Sequence, residues 1–438
     1  MNKFKKFYLP LIISIFLFPI LCSAQDIYFT LVPRSQDDIG STIIDITQDS
    51  KGYLWIATQN GLYKYDGFQY TAFHNEPTNP NSLNFEMIEC VAEDNGGFIW
   101  VGHYHGAAGL ERYDPVTGIF THYHHDDKDN FSLGNDSIVA IKQSRDGTLW
   151  IGTNGGLDRY DAKTNKFYHY RHNANDPTSI SSNQVRTIYE DKEGTIWIGT
   201  GNPFVNENVR LEGGLNKLDV KTNNFTRYMH KDNDPTSLID DRIRAIYEDS
   251  YGNFWVGSAG DGLHKMDRTK GTFERLLYDP SHPEKLSRPP VQTTFAFATD
   301  HITFFKEDIK GRLWIGTFQG GINVYDPATQ KVSHYGTDPN SKEKIQDNNF
   351  WTAFKSRDGI IWLTTWGSDL YKINPYQVKV PNILSNTVFN TTSFSNNSVF
   401  AFAEDKSQNL WLGSNQGLTR KDNSGKEDLL YALYDLKS

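Results

Sequence analysis

Short runs of apolar and β-branched residues, separated by glycine-rich turns, recur along the whole chain. The clearest copy is LWIGTNGGLDRYD, from Leu149 to Asp161, in which two short strands flank a turn at residues 154–156. The same phrase begins again near residues 54, 99, 196, 254, 313, 361 and 410, which makes eight copies. A repeat of this kind predicts the fold class better than any single residue does, and it predicts an all-β protein.

The spacing between the tryptophans of successive copies gives the length of the repeat. Successive copies are 45 to 59 residues apart, and most intervals lie between 45 and 50 residues. Such an interval holds about four strands of five residues with their turns, which is one blade of a β-propeller. We therefore predict four-stranded antiparallel blades, with the repeated tryptophans packed between neighbouring blades. These structural tryptophans are Trp55, Trp100, Trp150, Trp197, Trp255, Trp314, Trp362 and Trp411.

A polar link that contains proline joins consecutive units. Its clearest copies are NANDPTSIS, from Asn173, and KDNDPTSLI, from Lys231. Because proline lacks a ladder donor and restricts the residue before it, the link ends an outer strand and returns the chain to an inner edge. The links and the loops after the tryptophan strands then lie on one face of the disc, which we call the link face.

The two ends of the repeat array leave the closure of the ring open. Ile27 to Val32 is a lone strand without a unit of its own, whereas the Trp411 copy lacks the usual fourth-strand pattern after Asn423. The lone strand either completes an eighth blade or closes a ring of seven. With seven, the predicted domains are a signal peptide over 1–24, a propeller over 25–385 and a partial repeat over 386–438.

The first 24 residues differ in kind from the repeats. Lysines at positions 3, 5 and 6 precede an apolar run from Phe7 to Leu21, and small residues follow up to Ala24. This order is typical of a secretory signal peptide and predicts a periplasmic or secreted protein. The alternative is an uncleaved anchor in the inner membrane, for which the run is at the short end of the usual length. No later segment is long and apolar enough to predict a membrane span.

Composition narrows the class of partner. With 14% aromatic residues and 35 glycines, the chain suits short, twisted strands. The net charge is −9, and loss of the signal removes only lysines, which argues against nucleic acid or an anionic membrane surface as partner. Cys22 lies in the signal segment, so Cys90 has no intramolecular disulfide partner in the mature chain.

One known family shares this set of sequence motifs. LWIGT followed by GGLxxYD, with an I-x-E-D-x-x-G turn before it and F-x-H-Y and N-D-P-x-S-L after it, resembles the two-component regulator propeller repeat over nearly all of residues 26–420. The resemblance implies the periplasmic sensor region of a hybrid two-component system, in which two seven-bladed propellers precede a β-sandwich, a transmembrane helix and a histidine kinase. It favours seven blades here, with the Trp411 copy as the start of a truncated second propeller and no kinase part.

Residues that depart from the repeat are the candidates for ligand binding. Non-repeated aromatic and histidine side chains on or near the link face are His103, Tyr104, Phe204, Phe318, Trp351 and Trp366. Polar residues also begin each inner strand, at Ser41, Glu86, Asp136, Asn183, Asp241, Asp300, Asn348 and Asn397. As a ring around a central channel they would bind sugar hydroxyls or a cation, whereas as local turns they would cap the strand entrance.

The favoured function is non-enzymatic sensing of an oligosaccharide, with no cofactor. A second copy of the chain or a full-length sensor kinase is the protein partner that we expect. One alternative is a glycoside hydrolase or lyase that uses channel acids such as Glu86 and Asp241. Another is a degenerate remnant or a scaffold for protein contacts. The commoner catalytic motifs do not occur in the sequence.

A run of potential metal ligands ends the second unit, at His122, His124, His125, Asp126 and Asp127. Alternate side chains of a strand point to opposite faces, so these residues do not converge. We predict no metal site.

Overall fold

The computed structural model describes residues 27–32, 41–104, 108–202, 213–260, 262–279, 281–282, 285–287, 302–337, 345–367, 369–376, 399–407, 409–414, 417–422 and 427–432. The chain divides into two compact units, Met1–Pro375 and Tyr376–Ser438. Every helix or strand assigned in the described residues is a β-strand. No helix that could span a membrane occurs in this part of the chain.

The hairpin that starts each propeller blade contains a glycine and, three residues before it, an aspartate or, in blades 3 and 7, a serine. In the fourth copy, one oxygen of Asp191 accepts the backbone N–H groups of Glu193 and Thr195, at 3.0 and 2.8 Å. Gly194 supplies the positive φ of the turn, 88°. The other oxygen of Asp191 accepts the indole N–H of Trp197 at 2.8 Å. The local sequence D-x-x-G-x-x-W therefore fixes both the turn and the orientation of the tryptophan.

Thirty-two strands follow one another in the described residues. The strands of the amino-terminal half are β1 (Thr30–Leu31), β2 (Ile43–Gln48), β3 (Leu54–Thr58), β4 (Gly61–Tyr65), β5 (Tyr70–Phe73), β6 (Cys90–Glu93), β7 (Ile99–Gly102), β8 (Leu110–Asp114), β9 (Ile119–Tyr123), β10 (Ile138–Gln143), β11 (Leu149–Thr153), β12 (Gly156–Asp161), β13 (Lys166–Tyr170), β14 (Val185–Glu190), β15 (Ile196–Thr200), β16 (Gly214–Asp219) and β17 (Asn224–Tyr228).

The remaining strands are β18 (Ile243–Glu248), β19 (Phe254–Ser258), β20 (Leu263–Asp267), β21 (Thr272–Arg275), β22 (Ile302–Glu307), β23 (Leu313–Thr317), β24 (Ile322–Asp326), β25 (Lys331–Tyr335), β26 (Phe350–Lys355), β27 (Ile361–Thr365), β28 (Leu370–Ile373), β29 (Val399–Glu404), β30 (Leu410–Ser414), β31 (Gly417–Lys421) and β32 (Glu427–Ala432).

The first unit is a seven-bladed β-propeller. Blades 1 to 6 are the consecutive antiparallel sheets β2–β5, β6–β9, β10–β13, β14–β17, β18–β21 and β22–β25. Blade 7 consists of β26, β27 and β28, and its outermost strand is β1 from the amino-terminal end. Thr30 pairs with Lys372, and Leu31 pairs with Tyr371. The predicted ring of seven is therefore confirmed and the eight-bladed alternative is wrong, because the lone strand completes the seventh sheet.

The core consists of apolar layers between adjacent blades. Trp55 of blade 1, for example, packs with Ile99, Val101 and Phe120 of blade 2. The layer between blades 7 and 1 closes the ring, with Trp362 against residues of the first blade. Each of the seven propeller tryptophans is at most 6% exposed. Burial of so large a side chain at every blade interface is what holds the blades together.

The second unit contains one four-stranded sheet, in the order β29, β30, β31, β32. Its last strand, Glu427–Ala432, forms although the sequence there lacks the fourth-strand pattern of the other repeats. The register shifts between Leu418 and Thr419, where this strand pairs with β31. The last repeat is thus more complete than the pattern alone predicts, because backbone pairing does not require the Thr-x-x-Phe side chains.

Candidate functional site

A β-bulge near the start of the inner strands turns one extra side chain toward the ring axis. The pairing register shifts there in blades 1 and 3 to 7, as between Val185 and Thr187 of blade 4. In blade 2 the corresponding residue, Glu89, directly precedes β6 and donates its N–H to Gly102 O at 2.8 Å. Bulges re-aim side chains in this way at the rims of closed sheets. The seven residues at these rim positions are Ile44, Glu89, Val139, Arg186, Arg244, Thr303 and Trp351.

The rim positions line one cavity of about 270 Å³, which we call the central cavity. Because each of the seven blades contributes to its wall, it lies on the ring axis where the inner strands meet. Asp45 of blade 1 also lines it. The wall therefore combines two guanidinium groups and two carboxyl groups with an indole and aliphatic side chains.

Burial shifts the pKa values of the charged groups in this cavity toward neutrality. Loss of hydration raises the pKa of Glu89 to about 7, and the nearby Arg244 and Arg186 only partly offset this. Burial likewise raises the pKa of Asp45 to about 6, against hydrogen bonds from the N–H groups of Val91 and Ile46. Burial lowers the pKa of Arg244 to about 10, although Glu89 favours its charged form. Such groups change charge within a range of pH that solution experiments can reach.

Three aromatic side chains lie together beside the central cavity. The ring centroids of Trp351 and Trp366 are 4.6 Å apart, and Phe318 lies 6.2 Å from Trp351 and 6.3 Å from Trp366. We call these residues the aromatic cluster. Trp351 is buried, whereas Trp366 is 43% exposed. The backbone N–H of Trp366 donates to Asn349 O at 2.9 Å, which holds the loop against the start of β26.

The two arginines of the rim each face an aromatic ring. The guanidinium carbon of Arg244 lies 4.0 Å from the centroid of Trp351. That of Arg186 lies 5.5 Å from the ring of Tyr104, which follows the tryptophan strand of blade 2. Cation–π contacts of this length fix the orientation of both partners. Trp351, Trp366 and Phe318 are thus brought together on the side of Arg244, and Tyr104 lies beside Arg186.

His103 does not reach this surface. Its side chain is fully buried, with Nδ1 2.9 Å from Met87 O and Nε2 2.8 Å from Glu111 Oε1. The histidine lowers the pKa of Glu111, against the effect of burial. His103 therefore links the second strand of blade 2 to its third, and it is not available to a ligand on the link face.

The polar residues that begin the inner strands hold the links in place. In five of them a side-chain oxygen accepts the backbone N–H of the residue eleven positions earlier, where the link begins. The distances are 2.8 Å for Asp136 with His125, 2.7 Å for Asn183 with His172, 2.5 Å for Asp241 with His230, 2.7 Å for Asn348 with Thr337 and 2.9 Å for Glu86 with Asn75. The geometry is that of a local cap on the strand entrance.

Three candidates lie outside the described residues, namely Phe204, Asp300 and Asn397. The histidines that end blade 2 use separate partners. His122 Nε2 contacts Pro80 O at 3.0 Å, whereas His125 Nδ1 contacts Leu133 O at 2.7 Å. Within the described ranges, no group of three or more His, Cys, Asp or Glu side chains is arranged to hold a metal ion.

The indole N–H of most motif tryptophans is bonded within its own blade. Trp55, Trp100, Trp197, Trp255, Trp314 and Trp411 each donate to the aspartate six positions earlier, at 2.7 to 3.1 Å. Trp150 donates to Ser144 Oγ at 3.3 Å. Trp362 Nε1 is buried without a partner among the described residues. The repeated tryptophans of the propeller thus lie in the blade interfaces, away from the aromatic cluster.

Sequence reasoning missed the charged rim residues Glu89, Arg186 and Arg244, although a signal for them exists. Each rim position lies three residues after the polar residue that begins its inner strand, as Arg186 does after Asn183. When the seven repeats are aligned, the residues at this position are the seven rim residues of the channel. A strict alternation of strand faces would not have identified it, because the bulge interrupts the alternation.

Comparison with known proteins agrees with this architecture. A family model described as two component regulator propeller matches residues 38–60, 132–155, 179–202, 237–260 and 393–416. Histidine kinase P4 of Formosa agariphila is 27% identical over 225 residues, which are 50% of this chain and 14% of that kinase. The chain thus corresponds to a small part of the curated relative that it matches.

Solved structures share the fold. The extracellular domain of a hybrid two component system from B. thetaiotaomicron has a TM-score of 0.63 at 23% identity, over 92% of this chain and 49% of that one. The extracellular domain of a one component system from the same organism has a TM-score of 0.57 at 20% identity, over 92% and 47%. A streptogramin B lyase has a TM-score of 0.54 at 15% identity, over 80% and 97%.

The matched segments lie one, two or three repeat lengths apart, and these structural relatives include extracellular domains of two-component and one-component systems. The chain therefore carries two component regulator propeller repeats, which confirms the resemblance seen in its sequence.

Proposed function

We propose that this protein is a periplasmic sensing propeller that binds an oligosaccharide at the channel mouth on the link face. The observation that supports the proposal most is the aromatic cluster, in which the half-exposed Trp366 lies against Trp351 beside a cavity lined by polar groups. Indole faces stack on the C–H faces of sugars, and the neighbouring polar groups orient the hydroxyls. The amino-terminal signal pattern supports the location.

The output of such a sensor depends on a protein partner. The relatives include a histidine kinase and the extracellular domain of a hybrid two component system. We propose that the propeller acts in the same kind of signalling, through a second copy of the chain or a full-length sensor kinase. Ligand-dependent association of the two proteins, measured by analytical ultracentrifugation, tests this part separately.

Titration calorimetry against a panel of oligosaccharides tests the binding site. Trp366→Ala is expected to weaken binding at least about tenfold, since loss of an aromatic anchor costs about 1.4 kcal/mol or more. Phe68→Ala is the matched control, because Phe68 is 96% exposed and lies in the outer hairpin of blade 1. Absence of binding to every oligosaccharide would refute the function. Equal binding by wild type and Trp366→Ala would refute the site.

A second candidate function is a glycoside hydrolase or lyase. It is favoured by the two carboxyl groups of the central cavity, since burial raises the pKa of Glu89 to about 7 and that of Asp45 to about 6. A carboxyl group with a raised pKa can donate a proton to a leaving group near neutral pH. Chromatography of labelled oligosaccharides after long incubation tests it. Cleavage that is lost in Glu89→Gln would support an enzyme, and unchanged oligosaccharides would remove it.

A further inference from the structure

Two arginines from adjacent blades occupy one sector of the channel rim. Arg186 is the bulge residue of blade 4, and Arg244 is that of blade 5. They are close enough that the charge of Arg186 opposes that of Arg244 and lowers its pKa. Two like charges on neighbouring positions of a partly dehydrated rim are unfavourable in the absence of an anion.

The carboxyl groups of the cavity do not fully balance these arginines near neutral pH. Burial places the pKa of Glu89 at about 7, so this carboxyl group is protonated in about half of the molecules at that pH. Asp45 lies on blade 1, where the positive charge of the buried Lys306 opposes its negative charge. The rim therefore retains positive charge on the side of blades 4 and 5.

Arg186 also has donors that the described protein does not use. Its Nε and Nη2 atoms are buried and have no hydrogen-bond partner among the described residues. Arg227 shows the contrast, because its Nε donates to Ser179 O at 2.6 Å and its Nη2 donates to Asp176 O at 2.7 Å. Buried donors without partners are costly and uncommon, and donors that line a cavity can be satisfied by an acceptor that enters it.

The guanidinium groups of the rim and the size of the cavity indicate which hydrogen-bond acceptor a ligand would bring. A planar guanidinium binds a carboxylate or a sulfate through two parallel hydrogen bonds. The cavity of about 270 Å³ is slightly smaller than ordinary ligand pockets of roughly 300 Å³ or more, so it suits one sugar unit of a longer chain. The aromatic cluster lies beside it, where the next sugar unit would stack.

We infer that the oligosaccharide is acidic, and that Arg186 and Arg244 bind the carboxylate or sulfate of the sugar unit that enters the central cavity. This inference rests on the proposed function and specifies its ligand class. Arg186 makes the charged hydrogen bonds. Arg244 adds charge and, through its contact with Trp351, connects the acidic group to the stacking surface.

Calorimetry with matched pairs of probes tests the inference. One pair is trigalacturonate and its methyl ester, and the other is a sulfated galactan tetrasaccharide and its desulfated form. At least one acidic probe is expected to bind at least about tenfold more tightly than its neutral form, since hydrogen bonds to charged groups are among the strongest. The pair that shows the difference distinguishes a carboxylate ligand from a sulfate ligand.

Variants locate the acidic group. Arg186→Gln and Arg244→Gln are each expected to weaken binding of the acidic probe at least about tenfold, and Arg186→Lys is expected to weaken it less because the charge remains. Arg145→Gln is the matched control. Arg145 lies in the hairpin turn on the opposite face of the propeller, where it pairs with Glu190. Thermal melting of each variant identifies any loss that is due to unfolding.

The possible results separate the two proposals. Equal affinity for acidic and neutral probes, with loss of binding in Trp366→Ala, would overturn the acidic ligand and leave oligosaccharide sensing standing. Unchanged binding of the acidic probe by folded Arg186→Gln and Arg244→Gln would overturn the assignment of these residues. A panel in which no probe binds would overturn both proposals.

Discussion

The guanidinium carbon of Arg244 lies 4.0 Å from the ring centroid of Trp351, and both residues occupy bulge positions of their inner strands. Blade 5 and blade 7 thus make contact across the channel rim, with blade 6 between them in the ring. Trp351 also packs on Trp366. The indole of Trp351 therefore contacts both the charged Arg244 of the rim and the half-exposed ring of Trp366.

A double-mutant cycle measures this contact. Arg244→Gln and Trp351→Leu are expected to show a coupling free energy of about 0.5–2 kcal/mol in urea unfolding, since the pair is partly dehydrated. The control cycle combines Arg244→Gln with Phe68→Leu, whose side chain lies in an outer hairpin, and its effects should add. A coupling near zero in the first cycle would show that the contact contributes nothing to stability.

The affinity for an acidic ligand is expected to depend on pH through Glu89. Its charged neighbours are Arg244, Arg186 and Asp45, and burial raises its pKa to about 7. Glu89 is therefore anionic above pH 7 and neutral below it. As the pH falls from 8 to 6, loss of this negative charge leaves the arginines freer to attract an anion, and affinity should rise.

Calorimetry from pH 5.5 to 8 with the sulfated probe measures this effect, because the probe keeps its charge over the range. Protonation of Asp45, with a pKa of about 6, should extend the rise at the acidic end. Glu89→Gln should bind at pH 8 about as tightly as the wild type binds at pH 6, with a flatter profile. Affinity that increases with pH would contradict the role of Glu89.

Stability is expected to fall in acid because of His264. This side chain is fully buried in blade 5, where Nε2 accepts the N–H of Ile239 at 3.0 Å. Burial lowers its pKa from 6.5 to about 4. Between these values the unfolded chain binds a proton that the native chain does not, so this contribution is complete above pH 6.5 and is lost as the pH falls toward 4. The loss is on the order of 3 kcal/mol.

His264→Asn provides the control for this effect. Asn216 occupies the corresponding position of blade 4, where its Oδ1 accepts the N–H of Ser181 at 2.9 Å, and it does not titrate. The difference in unfolding free energy between pH 7 and pH 4.5, measured with urea, should be smaller in the variant than in the wild type. Equal differences would show that His264 is not the group responsible.

The hydrogen bond of the motif tryptophan can be measured because one copy lacks it. Trp55 Nε1 donates to Asp49 Oδ2 at 2.9 Å, whereas Trp362 Nε1 has no partner among the described residues. Both Trp55→Phe and Trp362→Phe leave a smaller side chain in a blade interface. Trp55→Phe should cost about 1.5–3 kcal/mol more in urea unfolding, since it also removes a bond to a buried carboxylate. Equal costs would contradict a stabilising role for the bond.

Much of the fold could be predicted because similar local interactions recur in eight copies of the repeat. In most copies the aspartate and glycine of the hairpin and the tryptophan that follows fix three neighbouring features within seven residues, as at Asp191, Gly194 and Trp197. The number of blades could not be predicted from these copies alone. It depended on whether Thr30 and Leu31 pair with β28, which is a contact between residues more than 300 positions apart.

The candidate site was predictable only in part. Trp351, Trp366, Phe318 and Tyr104 stand out because they depart from the repeat, and the structure brings the first three together and places Tyr104 beside Arg186. His103 departs from the repeat equally, yet it is buried against Glu111. A single sequence does not distinguish these cases, since both are unusual side chains after the same strand.

The structure of one blade can be predicted from its residues, because turns, strand length and the buried tryptophan are set by interactions within a few residues. Which side chains meet at the ring axis depends instead on how the seven blades pack into a closed ring. Arg186, Arg244 and Glu89 come from three blades and share one cavity because a bulge turns each of the arginines inward and the ring of seven closes around them. The pKa values of Arg244 and Glu89 depend on their burial and on their distances to the neighbouring charges. Both are properties of the closed ring and not of any one repeat.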